Sequence, residues 1–112
     1  IKVFLLLLHV HFFSLLSFAQ KDSGEFSLQL TVTDARTNEK LEFATVSLRD
    51  SIRKRQFSTI TDTKGMSRLK NIPQGEYQLH ISFIGYQKLL LSLVLDRDTS
   101  LTLFLTPTAT QF

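Results

Sequence analysis

Cysteine is absent from the 112 residues, which removes disulfides, thiol nucleophiles and cysteine-ligated metals from consideration. A domain of this kind holds together by packing alone, on a modest stability margin. Tryptophan is also absent, proline occurs twice and glycine four times. Neither sign of charge dominates: 13 Lys and Arg stand against 10 Asp and Glu, a formal net charge of +3. That balance offers no electrostatic footprint for nucleic acid. Histidine is scarce as well, and two of the three, His9 and His11, fall in the opening stretch, so His80 is the single imidazole behind it.

The opening stretch is the longest apolar run in the chain. Lys2 supplies one early positive charge, Val3 to Leu16 is mostly Leu, Phe and Val, and Ser17-Phe18-Ala19 follows. Small residues at the first and last of those three positions suit a signal peptidase, so residues 1–19 read as a secretory signal cut after Ala19. A membrane anchor needs about 20 mostly apolar residues, and this run is shorter and broken by His9 and His11. Removing it takes Phe4, Phe12, Phe13 and Phe18 away and leaves about 93 residues with a net charge near +2, enough for one domain.

Behind the leader the hydrophobic period is two, the period of strands. Residues 20–25 are polar and read as a flexible lead-in. Phe26, Leu28, Leu30 and Val32 then alternate with Ser27, Gln29, Thr31 and Thr33. Ala44, Val46 and Leu48 alternate with Thr45, Ser47 and Arg49, and a charged turn spans Asp50 to Arg55. Gln56 to Thr61 is a short β-branched strand, and Thr63-Lys64-Gly65 turns the chain into Met66 to Leu69. The Pro73-Gln74-Gly75 segment predicts a turn with positive φ at Gly75. Tyr77, Leu79, Ile81 and Phe83 share one face of the next strand, with His80 on the other, until Gly85-Tyr86 interrupts it. Leu89, Leu91, Leu93 and Leu95 follow, with Leu90 and Val94 making that strand apolar on both faces. Asp96-Arg97-Asp98 turns into Leu101, Leu103 and Leu105. Seven short strands with frequent turns and no helical period predict an all-β, seven-stranded antiparallel β-sandwich over residues 26–106. Residues 107–112 read as the start of a linker to a C-terminal region outside this chain.

A catalytic or binding site needs convergent groups. His80 lies on a polar strand face with no partner at metal-ligand spacing, and a Ser-His-Asp set would rest on it alone. Asp96 and Asp98 provide too few oxygens for a calcium loop. No phosphate-cradling glycine loop and no Gly-x-Ser-x-Gly elbow occurs. No catalytic, cofactor-binding or metal site is therefore expected, and no cofactor. The conspicuous charge is Arg53-Lys54-Arg55 with Arg49 nearby, which reads either as a solvated hairpin tip that discourages edge pairing or as a contact to an acidic partner or anionic lipid.

Five short motifs occur in one order: Val32-Thr33-Asp34, Ala44-Thr45-Val46, Thr61 to Gly65, Ile72 to Tyr77, and Phe83-Ile84-Gly85-Tyr86. In that order they resemble the carboxypeptidase regulatory-like domain, a transthyretin-like β-sandwich found at the N-terminus of TonB-dependent receptors and related outer-membrane β-barrel proteins of the Bacteroidota. Leu30, Lys40 and Ser67 stand where that family usually has Gly, Pro and an aromatic residue. Asp62 is expected to accept N–H groups of its own turn, Gly65 to close that turn through positive φ, and Tyr77 to keep its hydroxyl at the water edge. The resemblance implies a non-catalytic accessory domain at the periplasmic face of the outer membrane, involved in nutrient uptake. Its implied partners are a plug and barrel in the same protein, and TonB or a surface lipoprotein. A freestanding exported sandwich that binds a protein or glycan, and the regulatory appendage of a metallocarboxypeptidase, are the alternatives.

Overall fold

Each alternating segment folds as a strand in the computed structural model, which describes residues 24–109; the leader at 1–19 lies outside the described residues. The strands are β1 (Glu25–Asp34), β2 (Thr45–Asp50), β3 (Arg55–Ile60), β4 (Met66–Pro73), β5 (Gly75–Ser82), β6 (Leu89–Leu95) and β7 (Thr99–Leu105). They form a three-stranded sheet, ordered β4-β1-β7, and a four-stranded sheet, ordered β3-β2-β5-β6. The seven-stranded sandwich is thus present, with one refinement. β1 and β7 run parallel, Leu28 opposite Thr99 through Asp34 opposite Leu105, while the other four pairings are antiparallel.

The inward faces are those the period predicts. Leu28, Leu30 and Val32 from β1 meet Val46 and Leu48 from β2 and Tyr77, Leu79 and Ile81 from β5, all fully or nearly fully buried. Ile72, Leu95, Leu105, Leu41 and Ala44 complete the core, and Phe57 of β3 packs against it. Every strand contributes to this cluster within the described residues, so the segment carries a whole core and folds as a unit. Ser67, at the aromatic position of the resembled family, is buried beside Leu69 and leaves its hydroxyl without a partner.

Three boundaries differ from the sequence expectation. Glu25 already belongs to β1, so the polar lead-in is shorter than 20–25. β5 ends at Ser82, and Phe83 stacks on Tyr86 with ring centroids 5.6 Å apart. Pro107 and Thr108 do not leave the sandwich as a linker: Pro107 bridges Tyr86, and the Thr108 N–H and hydroxyl both donate to the Gly85 carbonyl.

The expected positive φ at Gly75 is also corrected. Gly75 opens β5 with ordinary backbone, and the left-handed residue is Asn71, at φ 58°. Between Phe26–Ile72 and Leu28–Leu69 the β4 side of the ladder holds one residue more than the β1 side. Asn71 sits in that bulge, where asparagine tolerates the conformation. Gly65, by contrast, has φ 72°, and a Cβ there would stand 2.7 Å from the Val32 carbonyl oxygen. Urea unfolding distinguishes these positions. Gly65→Ala is expected to lose more than about 1 kcal/mol, while Gly75→Ala stays within about 1 kcal/mol of wild type. Leu79→Ala, a fully buried truncation, loses about 2–5 kcal/mol.

Candidate interaction face

The Arg53-Lys54-Arg55 run folds back on a carboxylate. Asp50 ends β2 with a side chain 1% exposed. Its Oδ1 accepts the N–H groups of Ile52 (3.1 Å) and Arg53 (3.2 Å), which shapes the turn. Its Oδ2 accepts from the guanidinium groups of Arg53 and Arg55, both at 3.2 Å. The Arg53 N–H, and after it the two guanidinium groups, hold the Asp50 carboxyl down to about 2. Two of the three positive charges are therefore committed within the turn; Lys54, at φ 58°, points its charge to solvent.

Two further aspartates act alike. Asp62 Oδ1 accepts the N–H groups of Lys64 and Met66, both at 2.9 Å, as its motif predicts. The neighbouring Thr61 hydroxyl donates to the Leu41 carbonyl and accepts from the Ala44 N–H, which fastens the segment between β1 and β2. Asp34 is buried at the end of β1. Its Oδ1 accepts the N–H groups of Arg36 (2.7 Å) and Thr37 (2.9 Å), and its Oδ2 accepts the Tyr86 hydroxyl (2.5 Å). The phenol, then the Thr37 N–H, hold the Asp34 carboxyl at about 2, and the same bond raises the Tyr86 phenol. The sequence marks Tyr86 only as part of the interruption after β5 and does not point to this bond. Tyr77 also differs from expectation: its hydroxyl donates to the Pro73 carbonyl at 2.6 Å.

His80 lies half-buried on the outer face of the four-stranded sheet, with Nε2 3.2 Å from Gln78 Oε1. Burial, and then the charges of Arg49 and Lys88, push the imidazole below its ordinary value. No carboxylate faces it closely, and among the described residues no group of three or more His, Asp or Glu is placed to hold a metal. Asp96 and Asp98 diverge: Asp96 pairs with Arg97, whereas Asp98 accepts the Ser27 N–H.

What the structure does bring together is a polar platform. Register sets Gln56, Arg49, Gln78 and Ser92 in one row across the outer face, and Ser58, Ser47, His80 and Leu90 in the next. A shallow groove of about 530 Å³ opens over the first row, bounded by Arg49, Ile52, Glu76, Gln78 and Val94. Such a surface suits non-covalent contact; its chemistry is hydrogen bonding with the Arg49 guanidinium and the Glu76 carboxylate at its rim.

A protein-family model for the CarboxypepD_reg-like domain matches residues 28–111, most of the chain. The chain belongs to that family. Among solved structures, the CarboxypepD_reg-like sandwich is similar in fold to BcpA, the major pilin subunit of Bacillus cereus, with a TM-score of 0.63 and 20% identity over 75% of this chain and 30% of that one. A streptococcal ancillary pilin gives a TM-score of 0.63 at 18% identity, covering 79% of this chain and 31% of that one. The shaft pilin SpaA from Lactobacillus rhamnosus GG gives 0.62 at 13%, over 79% and 48%. The chain thus spans less than half the length of each of these pilins, and at such identity the likeness is one of fold. No curated protein matches the chain.

The carboxylates make acid sensitivity the measurable consequence. Asp34 and Asp50 sit near 2 when folded, against an ordinary 3.8. The unfolded chain therefore binds more protons below about pH 4, and their stabilisation is complete above that and lost towards pH 2. Urea midpoints of the wild type are expected to fall steadily from pH 4 to pH 2. Asp34→Asn starts lower at pH 7 and falls less steeply; an unchanged midpoint at pH 7 contradicts the role given to Asp34.

Proposed function

We propose that this chain is the exported, non-catalytic leading domain of an outer-membrane protein of the TonB-dependent receptor type. The observation that carries the proposal is the family match over residues 28–111 directly behind a leader with the pattern of a secretory signal. The conspicuous polar groups support it. Asp34, Asp50, Asp62, Arg53 and Arg55 are all engaged within turns of the sandwich, and none converges on His80. The domain contributes by contact, through the platform around Arg49 and Gln78, and transport belongs to a plug and barrel in the same protein. At the periplasmic face of the membrane, TonB or a surface lipoprotein is the partner class.

Two measurements test this. When the complete coding sequence is expressed in a Gram-negative host, N-terminal sequencing of the outer-membrane fraction is expected to begin at Gln20. The coding sequence past Phe112 is expected to encode alternating strands of about ten residues, as barrels do. A stop codon directly after Phe112 overturns the receptor reading in favour of a freestanding sandwich. A His/Glu zinc motif in a following domain overturns it in favour of a carboxypeptidase appendage.

A further inference from the structure

The sandwich has an edge strand that carries no charge and, apart from Ser92, no polar side chain. β6 is Leu-Leu-Leu-Ser-Leu-Val-Leu and forms the outer edge of the four-stranded sheet, paired with β5 on one side only. Its outward residues Leu90 and Val94 are 53% and 61% exposed, and Leu91 on its inward face is 36% exposed. Edge strands are ordinarily guarded by charge, proline or a bulge. Two of the other edges follow that rule: β3 begins with Arg55, and β4 carries Arg68, Lys70, a bulge and Pro73. β7, like β6, lacks charge, proline and a bulge, and its exposed face shows Ser100, Thr102 and the 51% exposed Phe104. β6 has none of these devices within its seven residues.

The sequence around β6 is complementary to itself. A two-fold axis through Ser92, with two copies of the strand antiparallel, sets Leu90 opposite Val94 and Leu91 opposite Leu93. It also sets Lys88 opposite Asp96 at each end, and both of these side chains are exposed. The internal partner of Asp96 is only its solvent-exposed neighbour Arg97, a weak competitor. Moving the axis to Leu91 sets Lys88 opposite Val94; moving it to Leu93 sets Lys88 opposite Asp98, which already accepts the Ser27 N–H, but leaves Asp96 opposite Leu90. Only the Ser92 register buries the apolar side chains together and matches opposite charges. We infer that β6 is a self-association surface, on which a second copy of this chain pairs antiparallel about Ser92 and extends the four-stranded sheet to eight strands. One strand pair is a small interface, so association is weak, on the order of 100 μM.

The absence of cysteine supplies a register-specific test, because an introduced thiol has only its own copy to react with. Directly opposed residues of an antiparallel pair lie about 4.5–5.5 Å apart at Cα, within disulfide reach. In residues 20–112, Ser92→Cys is expected to form a disulfide dimer readily in a glutathione buffer, while Thr102→Cys on β7 does not. Sedimentation between about 10 μM and 1 mM is expected to show a monomer–dimer equilibrium for the wild type. Leu90→Lys weakens it more than about ten-fold. Lys88→Asp weakens it about ten-fold, and Lys88→Asp with Asp96→Lys restores it to within about three-fold. All of these side chains are exposed, and unchanged melting of each variant separates lost pairing from lost folding. A monomer at 1 mM overturns the inference. So does a dimer that ignores the Lys88 and Asp96 reversals, or equal crosslinking through Thr102→Cys.

Discussion

A buried carboxylate at the end of β1 joins the parts of this sandwich that no covalent bond joins. Asp34 belongs to the three-stranded sheet, while Tyr86 lies where the chain leaves the four-stranded sheet after β5. The bond between them spans 52 residues of sequence. An ionised group in that position is tolerable only when its oxygens are satisfied, and two backbone N–H groups and a phenol do so. The consequences spread outward. The Asp34 carbonyl accepts the Asn38 N–H and its own N–H donates to Glu39, so the turn after β1 is set. Tyr86 in turn stacks on Phe83 and bridges Pro107, which brings the chain after β7 against the same end of the molecule.

The same device recurs at smaller scale. Asp50 and Asp62 each open a short loop and accept N–H groups from residues two to four positions on, in the way asparagine and aspartate mimic a backbone turn. A sandwich made of short strands has many connections, and each connection has donors that the ladders do not use. Aspartate supplies the missing acceptors cheaply in chain length. At Asp50 the device also gathers two arginines, so a run of three positive charges reaches solvent with little more than that of Lys54 uncommitted. The electrostatic character of the hairpin tip is therefore weaker than its composition indicates.

How much of this was legible in sequence depended on range. Strand faces were legible because period-two alternation is local: Leu28, Leu30, Val32, Val46, Leu48, Leu79 and Ile81 all fall inward as the alternation requires. The Asp62 turn was legible because its donors lie within four residues. Asp50 could have been found by the same logic, since an aspartate at a strand end followed by two arginines is a local pattern. The parallel pairing of β1 with β7 and the Asp34–Tyr86 bond had no such signal, since they join segments distant in the chain. Gly75 was misjudged for a physical reason. The left-handed residue is Asn71, in the β-bulge two residues before the Pro73-Gln74-Gly75 segment.

The leucines of β6 divide by what the fold requires of them. Leu89 and Leu93 face inward and pack half-buried against the core, as do Leu101 and Leu103 of β7. This seam lies between the Asp96–Asp98 bend at one end and the Gln87–Thr106 hydrogen bond at the other. Removing their apolar character would open the core. Leu90 and Val94 have no such duty. They stand on the opposite face, beside the polar row of Ser47 and His80 and above the groove at Arg49 and Gln78. Exposed leucine and valine on a largely polar face contribute nothing to core packing and expose an open strand edge to aggregation. A polar residue at either position would serve the sandwich as well as the apolar one does. The physical role left to them is at a contact, and the backbone beside them is one of the two edges of the four-stranded sheet free to make one.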